Sequence, residues 1–182
     1  MSQIKTLADH PLLTLEMPQV AELPFCTRVV AYQIHERCNG SGYPRGRMGN
    51  QIHELSRIAA VADAFVALAA KRPHREGVQP YHVMLKLLQD VQNGLIDPDA
   101  MRGLLRAVSL YPIGSYVQTS DGRVGRVIRS NGDSYDRPIL ELWNHKKLTE
   151  QPSIVNLLEN PELSVLRPLT DWRSRVLIGS RS

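Results

Sequence analysis

Aromatic residues make up only 5% of the 182 positions in this chain, which also has just two cysteines, no long apolar run and no large excess of either charge. Each shortage excludes something. So few rings leave no platform on which successive bases of a single strand could stack, and no DNA- or RNA-binding motif is present, so nucleic acid is not the expected partner. Cys26 and Cys38 lack the Cys-x-x-Cys spacing of a zinc site; without a secretion signal they read as two reduced thiols. No hydrophobic stretch approaches the length of a membrane span, and residues 1–5 are not followed by a signal-peptide core. A cytoplasmic location with no membrane partner is therefore expected.

What is present is a hydrophobic content of 42%, enough for one ordinary core or for one medium and one small domain. The net charge of +4 is unevenly spread. Positions 37, 45, 47, 57, 71, 72 and 75 are Lys or Arg, against two acids, Glu54 and Asp63. Such a run is either a solvated face or an attractor for an anion, a phosphodiester included.

Apolar positions Val20, Leu23, Val30 and Ile34 predict a helix over residues 18–35, which Pro24 can kink or delay. Asn39 to Gly46 packs three glycines and a proline into eight residues and must turn tightly. A second helix is expected from near His53 to about Ala70. Its segment 58–70 is apolar at every position but Asp63. A helix apolar all round is normally buried, and a carboxylate inside it must be paired, hydrogen-bonded, protonated or bound to a metal. A third helix follows Pro80, with Met84, Leu87, Leu88 and Val91 on one side. In a fourth, Asp97 caps, Pro98 takes the first position, and Met101, Leu104, Leu105 and Val108 form a stripe. Beyond Pro112 the pattern changes to Asp121-Gly122 and Asn131-Gly132 turns between β-forming segments at 116–117, 124–128 and 139–143, which are hairpin signals. The expected organisation is mainly α: a helical domain over 1–110, a small β-rich appendage over 111–168, and a tail over 169–182.

The run His35-Glu-Arg-Cys-Asn-Gly-Ser-Gly-Tyr-Pro-Arg-Gly46, then Arg57-Ile-Ala-Ala-Val-Ala-Asp63, then Arg72-Pro-His-Arg75, resembles the signature of the HD-GYP family. That pattern is His-His-Glu, Asp or Asn-Gly-Ser-Gly-Tyr-Pro, Ala-Asp on the next helix, and an Arg-Pro-Tyr-Arg-like run. The likeness covers roughly residues 9–110, and Pro112-Ile-Gly-Ser with Ser120-Asp-Gly-Arg-Val-Gly is similar to the β-rich tail of many members. The resemblance implies a partial HD-type helical bundle. It also implies a site where two or three metal ions, usually iron or manganese, activate water against the phosphodiester of cyclic di-GMP. Carried over residue by residue, His10, His35 and Asp63 match metal ligands. Tyr43 matches the tyrosine of the glycine-rich loop, and Arg72 and Arg75 match positions that contact the ligand's phosphates, where a planar guanidinium suits phosphate oxygens.

The chain also departs from that pattern. Ile34 stands where the first His of the His-His pair belongs, and Val66 where an aspartate follows Asp63 by one turn. The family's His-Asp pair, the lysine after it and the upstream Glu and His ligands belong ahead of His10 and are expected to be missing. Metal is accordingly expected to be sub-stoichiometric or absent in this chain alone. The reading is a degenerate protein that binds cyclic di-GMP or a signalling partner, or that self-associates, without hydrolysis. The alternative is a phosphodiesterase completed by a partner chain or by missing upstream residues.

Overall fold

The computed structural model describes residues 10–71, 77–143 and 151–169. They fall into two compact units, residues up to 78 with 83–103, and residues 79–82 with those from 104 onward.

In the first unit, helix α1 is described over residues 10–16. α2 spans Pro18–Ala21 and α3 Phe25–Gln33. The single helix expected over 18–35 is thus divided, with Pro24 as the N-cap of α3, because a proline is tolerated at a helix start and not inside it. A tight loop carries the chain to a 3-10 turn at Gly49–Gln51 and on to α4, Glu54–Ala69. His53 caps α4: its Nδ1 accepts the Leu55 amide at 3.2 Å. α3 packs on α4, and two buried polar side chains join them. Gln33 Oε1 accepts the His53 amide at 2.8 Å, and Ser56 Oγ donates to the Val29 carbonyl at 3.4 Å. Residues 83–92 of helix α5, Pro80–Gln92, and residues 98–103 of α6, Pro98–Val108, complete the unit. The buried apolar side chains of this unit include Ile52, Val61, Val83, Met84, Leu87, Ile96 and Met101.

Asp97 caps α6 as expected, its Oδ1 accepting the amides of Asp99 at 2.8 Å and Ala100 at 3.0 Å, while Oδ2 pairs with Arg57 of α4. Burial alone would push this carboxyl up, but the two amides and the guanidinium outweigh it and hold its pKa below the ordinary carboxylate value. The folded pKa being the lower one, the stabilisation is complete above the unfolded carboxyl's pKa of about 3.9. It is lost as pH falls through the folded value. Asp97→Ala should cost about 1–2 kcal/mol at pH 7, a cap plus a partly exposed ion pair. Urea titrations should find the gap between variant and wild type narrowing below about pH 4; a gap independent of pH would show that the carboxylate's charge contributes nothing.

The second unit holds a five-stranded antiparallel sheet: β1 Tyr116–Thr119, β2 Val124–Arg129, β3 Ile139–Trp143, β4 Ser153–Asn156 and β5 Val165–Leu169, in the order β4-β3-β2-β1-β5. Val117, Val127, Leu140 and Leu142 alternate inward from β1, β2 and β3 and meet Tyr111, Leu157 and Leu163 in one core. The Asp121-Gly122 turn closes the β1–β2 hairpin, with Gly122 at φ +86°. Asn131-Gly132 does not close a tight hairpin. It lies in the longer loop 130–138, where Asn131 Nδ2 donates to the Arg137 carbonyl at 2.7 Å and to Asn156 Oδ1 at 2.8 Å. No helix among the described residues is long and apolar enough to cross a membrane.

Candidate functional site

The glycine-rich loop leaves the end of α3 and folds back on it. Gly40 and Gly46 lie at φ +81° and +64°, where a side chain is strained. Gly42 is required for a different reason. A Cβ there would lie 2.3 Å from the Arg37 nitrogen and 2.5 Å from the Glu36 Cα, so the loop is pressed against main chain that cannot rotate away. Asn39 Oδ1 accepts the Ser41 amide and hydroxyl at 3.0 and 2.7 Å, and Tyr43 N donates to the His35 carbonyl at 3.2 Å. The Tyr43–Pro44 peptide is cis. On the returning limb, Glu36, which is 2% exposed, accepts the Arg45 amide on one carboxylate oxygen and the Arg47 amide on the other, each at 2.9 Å. Asn39 and Met48 form a bridge that closes the loop, and Gly49 N donates to the Cys38 carbonyl at 3.0 Å.

This fold brings three of the sequence-predicted residues together. His10 and His35 approach Nε2 to Nε2 at 3.1 Å. Tyr43 lies against His35 with ring centroids 5.0 Å apart and planes 24° from parallel, and edge-on to His10 at 6.1 Å. Burial, and then the neighbouring His10, push the His35 imidazole below its ordinary pKa, with Asp63 pulling the other way. His35 is therefore held toward the neutral form, which is the form that ligates metals.

Asp63 is close enough to act on His35 through its charge, yet it is exposed. The expectation that its helix is buried on all sides is not met among the described residues. Ser56 and Val61 are the buried positions of α4, whereas Leu55, Ile58 and Val66 stand open. The two imidazole nitrogens, 3.1 Å apart, are close enough that both could serve one ion. Still, no group of three or more His, Cys, Asp or Glu side chains is arranged to hold a metal among the described residues. The imidazole pair fits a fragment of a metal centre, and the carboxylate does not complete it. Arg72 and Arg75 lie outside the described residues. The cysteines add nothing to the site: Cys26 is exposed, and burial, followed by the Asp97 charge, pushes the half-buried Cys38 thiol up, away from the reactive thiolate.

Glu36 is the buried carboxylate of this loop that sequence reasoning passed over. It lies inside the quoted motif, but the amides it holds are nine and eleven positions away, and only a carboxylate next to a glycine-rich turn hinted at such a clamp.

Comparison with known proteins places the chain. The profile described as HD domain matches residues 2–100. A cyclic di-GMP phosphodiesterase of Pseudomonas aeruginosa is 34% identical over 114 residues, 63% of this chain and 27% of the relative. The cyclic di-GMP phosphodiesterase response regulator RpfG of Xanthomonas campestris is 32% identical over 126 residues, 68% of this chain and 33% of the relative. A 3'3'-cGAMP-specific phosphodiesterase of Vibrio cholerae is 38% identical over 78 residues, 43% of this chain and 17% of the relative. The chain thus spans a third or less of the length of each of these relatives.

Proposed function

The chain belongs to the HD domain family, in its HD-GYP branch, and from that premise we propose that it is a cyclic-dinucleotide-binding module, with cyclic di-GMP as its ligand, that does not hydrolyse what it binds. The observation that carries this reading is the packing of Tyr43 on His35 beside His10, on a loop held by the buried Glu36 carboxylate. An aromatic face fixed in this way offers a surface for a purine, or a hydroxyl for a phosphate oxygen. By resemblance, Arg72 and Arg75 supply the charged hydrogen bonds to the phosphodiester.

His10, His35 and Asp63 are the residues that would hold a metal ion, iron or manganese by resemblance. Bound there, the ion would neutralise phosphoryl charge and make its water more acidic. Two converged donors and a detached carboxylate are too few for that chemistry, and Ile34 and Val66 withhold further ligands. A second reading, hydrolysis completed by residues of another chain or by a longer form of this one, draws on the 3.1 Å imidazole pair and on the names of the relatives.

Calorimetry with cyclic di-GMP, with 3'3'-cGAMP as comparator, is the test. Binding is expected with intact nucleotide recovered by chromatography after long incubation with manganese. Arg72→Ala should weaken it about ten- to a hundredfold, the worth of a charged hydrogen bond of roughly 1.5–3 kcal/mol. Arg126→Ala is the control, because Arg126 pairs with Glu141 on the sheet. No binding of either nucleotide would sink the proposal and leave a protein partner or self-association as the role, whereas a linear dinucleotide product would establish the second reading.

A further inference from the structure

Glu36 is a puzzle in the chemistry of the site. A carboxylate that is 2% exposed is costly to bury unless it is fully bonded, and in this chain both oxygens are spent on main-chain amides of one short limb, Arg45 and Arg47. The other limb carries Tyr43, tied to the His35 carbonyl. Gly42, immediately before Tyr43, lies so close to the Glu36 main chain that no side chain fits. The residue immediately before Glu36 is the histidine on which Tyr43 stacks. Glu36 therefore sits where it can fix the returning limb, and with it the seat of the tyrosine ring, relative to His35.

We propose that Glu36 is the positioning residue of this site: its buried carboxylate clamps the glycine-rich loop by the Arg45 and Arg47 amides and thereby holds the Tyr43 ring against His35 in the arrangement that receives the nucleotide. The nucleotide part of this inference rests on the binding function proposed above; the clamp itself does not. The side-chain bonds of Arg45 and Arg47 frame the loop without substituting for Glu36. Arg45 Nε donates to the Tyr32 hydroxyl at 2.9 Å and Arg47 Nη1 to the Gln51 carbonyl at 3.3 Å. Both use the side chains of the limb and leave its amides to Glu36.

Glu36→Gln is the suitable substitution. It keeps the shape and one acceptor oxygen but turns an NH2 toward the second amide, which then faces a donor. In the full chain, the ring resonances of His35 should carry a ring-current shift from Tyr43 that Tyr43→Leu abolishes and Glu36→Gln largely removes. Cyclic di-GMP affinity should fall at least tenfold in Glu36→Gln, with cooperative unfolding preserved. A measurement without any variant guards against a misfolded one: in the wild-type chain the Arg45 and Arg47 amides should exchange hydrogen at least a hundredfold more slowly than in an unstructured peptide. Rapid exchange at both amides, or His35 resonances unmoved in a folded Glu36→Gln protein, would overturn the proposal. If wild type binds no cyclic di-GMP, the proposed function fails, and the clamp is still judged by the His35 resonances and the two amides.

Discussion

Alanine in place of Gly42 should destabilise the first unit by about 3 kcal/mol, at the upper end of the range for overpacking, and should reduce cyclic di-GMP affinity by more than a hundredfold. The argument is steric. The atoms that a Cβ would meet, the Arg37 nitrogen at 2.3 Å and the Glu36 Cα and carbonyl carbon at 2.5 Å, are main chain, so no rotamer change makes room. The loop must lift off the Glu36–Arg37 main chain, which separates Arg45 and Arg47 from the Glu36 carboxylate. That leaves a buried charge with unsatisfied oxygens, the more expensive half of a broken hydrogen bond. Gly103 is the contrasting case. It lies inside α6 with open space around its Cβ position, so Gly103→Ala should stabilise by roughly 0.5–1 kcal/mol through helix propensity alone. Denaturant titrations of both variants, with calorimetry on the first, separate the effects. A Gly42→Ala protein within about 0.5 kcal/mol of wild type, the scatter of ordinary surface changes, would mean that the loop is not seated on the Glu36–Arg37 main chain as described.

How far the fold was legible follows from where its determinants lie along the chain. α4, α5 and α6 were readable because each carries a local signal: His53 or Pro80 at a start, the Asp97-Pro98 cap, and apolar spacing over two turns or more. The helix at residues 10–16 was missed, since about two turns with a proline at the second position give too little period to count. β5 was missed because Pro168 argues against a strand. It is tolerated there since β5 lies at the sheet edge, where an amide can go unpaired. β4 is four residues with a polar residue at either end, too short to show alternation. In the site, the resemblance brought His10, His35 and Tyr43 to attention, and the structure sets them side by side across 25 and 8 positions of sequence. The burial of Asp63 was misjudged for a plain reason. Apolar composition says which faces seek cover, and not whether a neighbour is there to cover them.

Val66 is where that uncovered face touches the chemistry. It is 62% exposed and one turn beyond Asp63 on α4, so the two project from the same side of the helix. Val66→Asp should raise Mn2+ affinity about a hundredfold over wild type. Changes to groups that merely support a metal ligand already alter affinity by roughly 10–100-fold, and a carboxylate entering the coordination sphere acts at least as strongly. The wild-type chain should retain less than one equivalent of transition metal after dialysis, with His10 and His35 as its converged donors. In the metal-free variant the new carboxylate repels Asp63 across one turn, a cost of about 0.2–0.5 kcal/mol, which a bound cation relieves. Saturating manganese should therefore raise the melting temperature of Val66→Asp well beyond its effect on wild type, because an ion at a hundred times its dissociation constant stabilises by about 2.7 kcal/mol. Val66→Asn separates coordination by a carboxylate from a mere gain in polarity. Equal affinities for the Asp and Asn variants would place Val66 away from any metal position, and two tightly held ions in the wild-type protein would remove the case for a degenerate centre altogether.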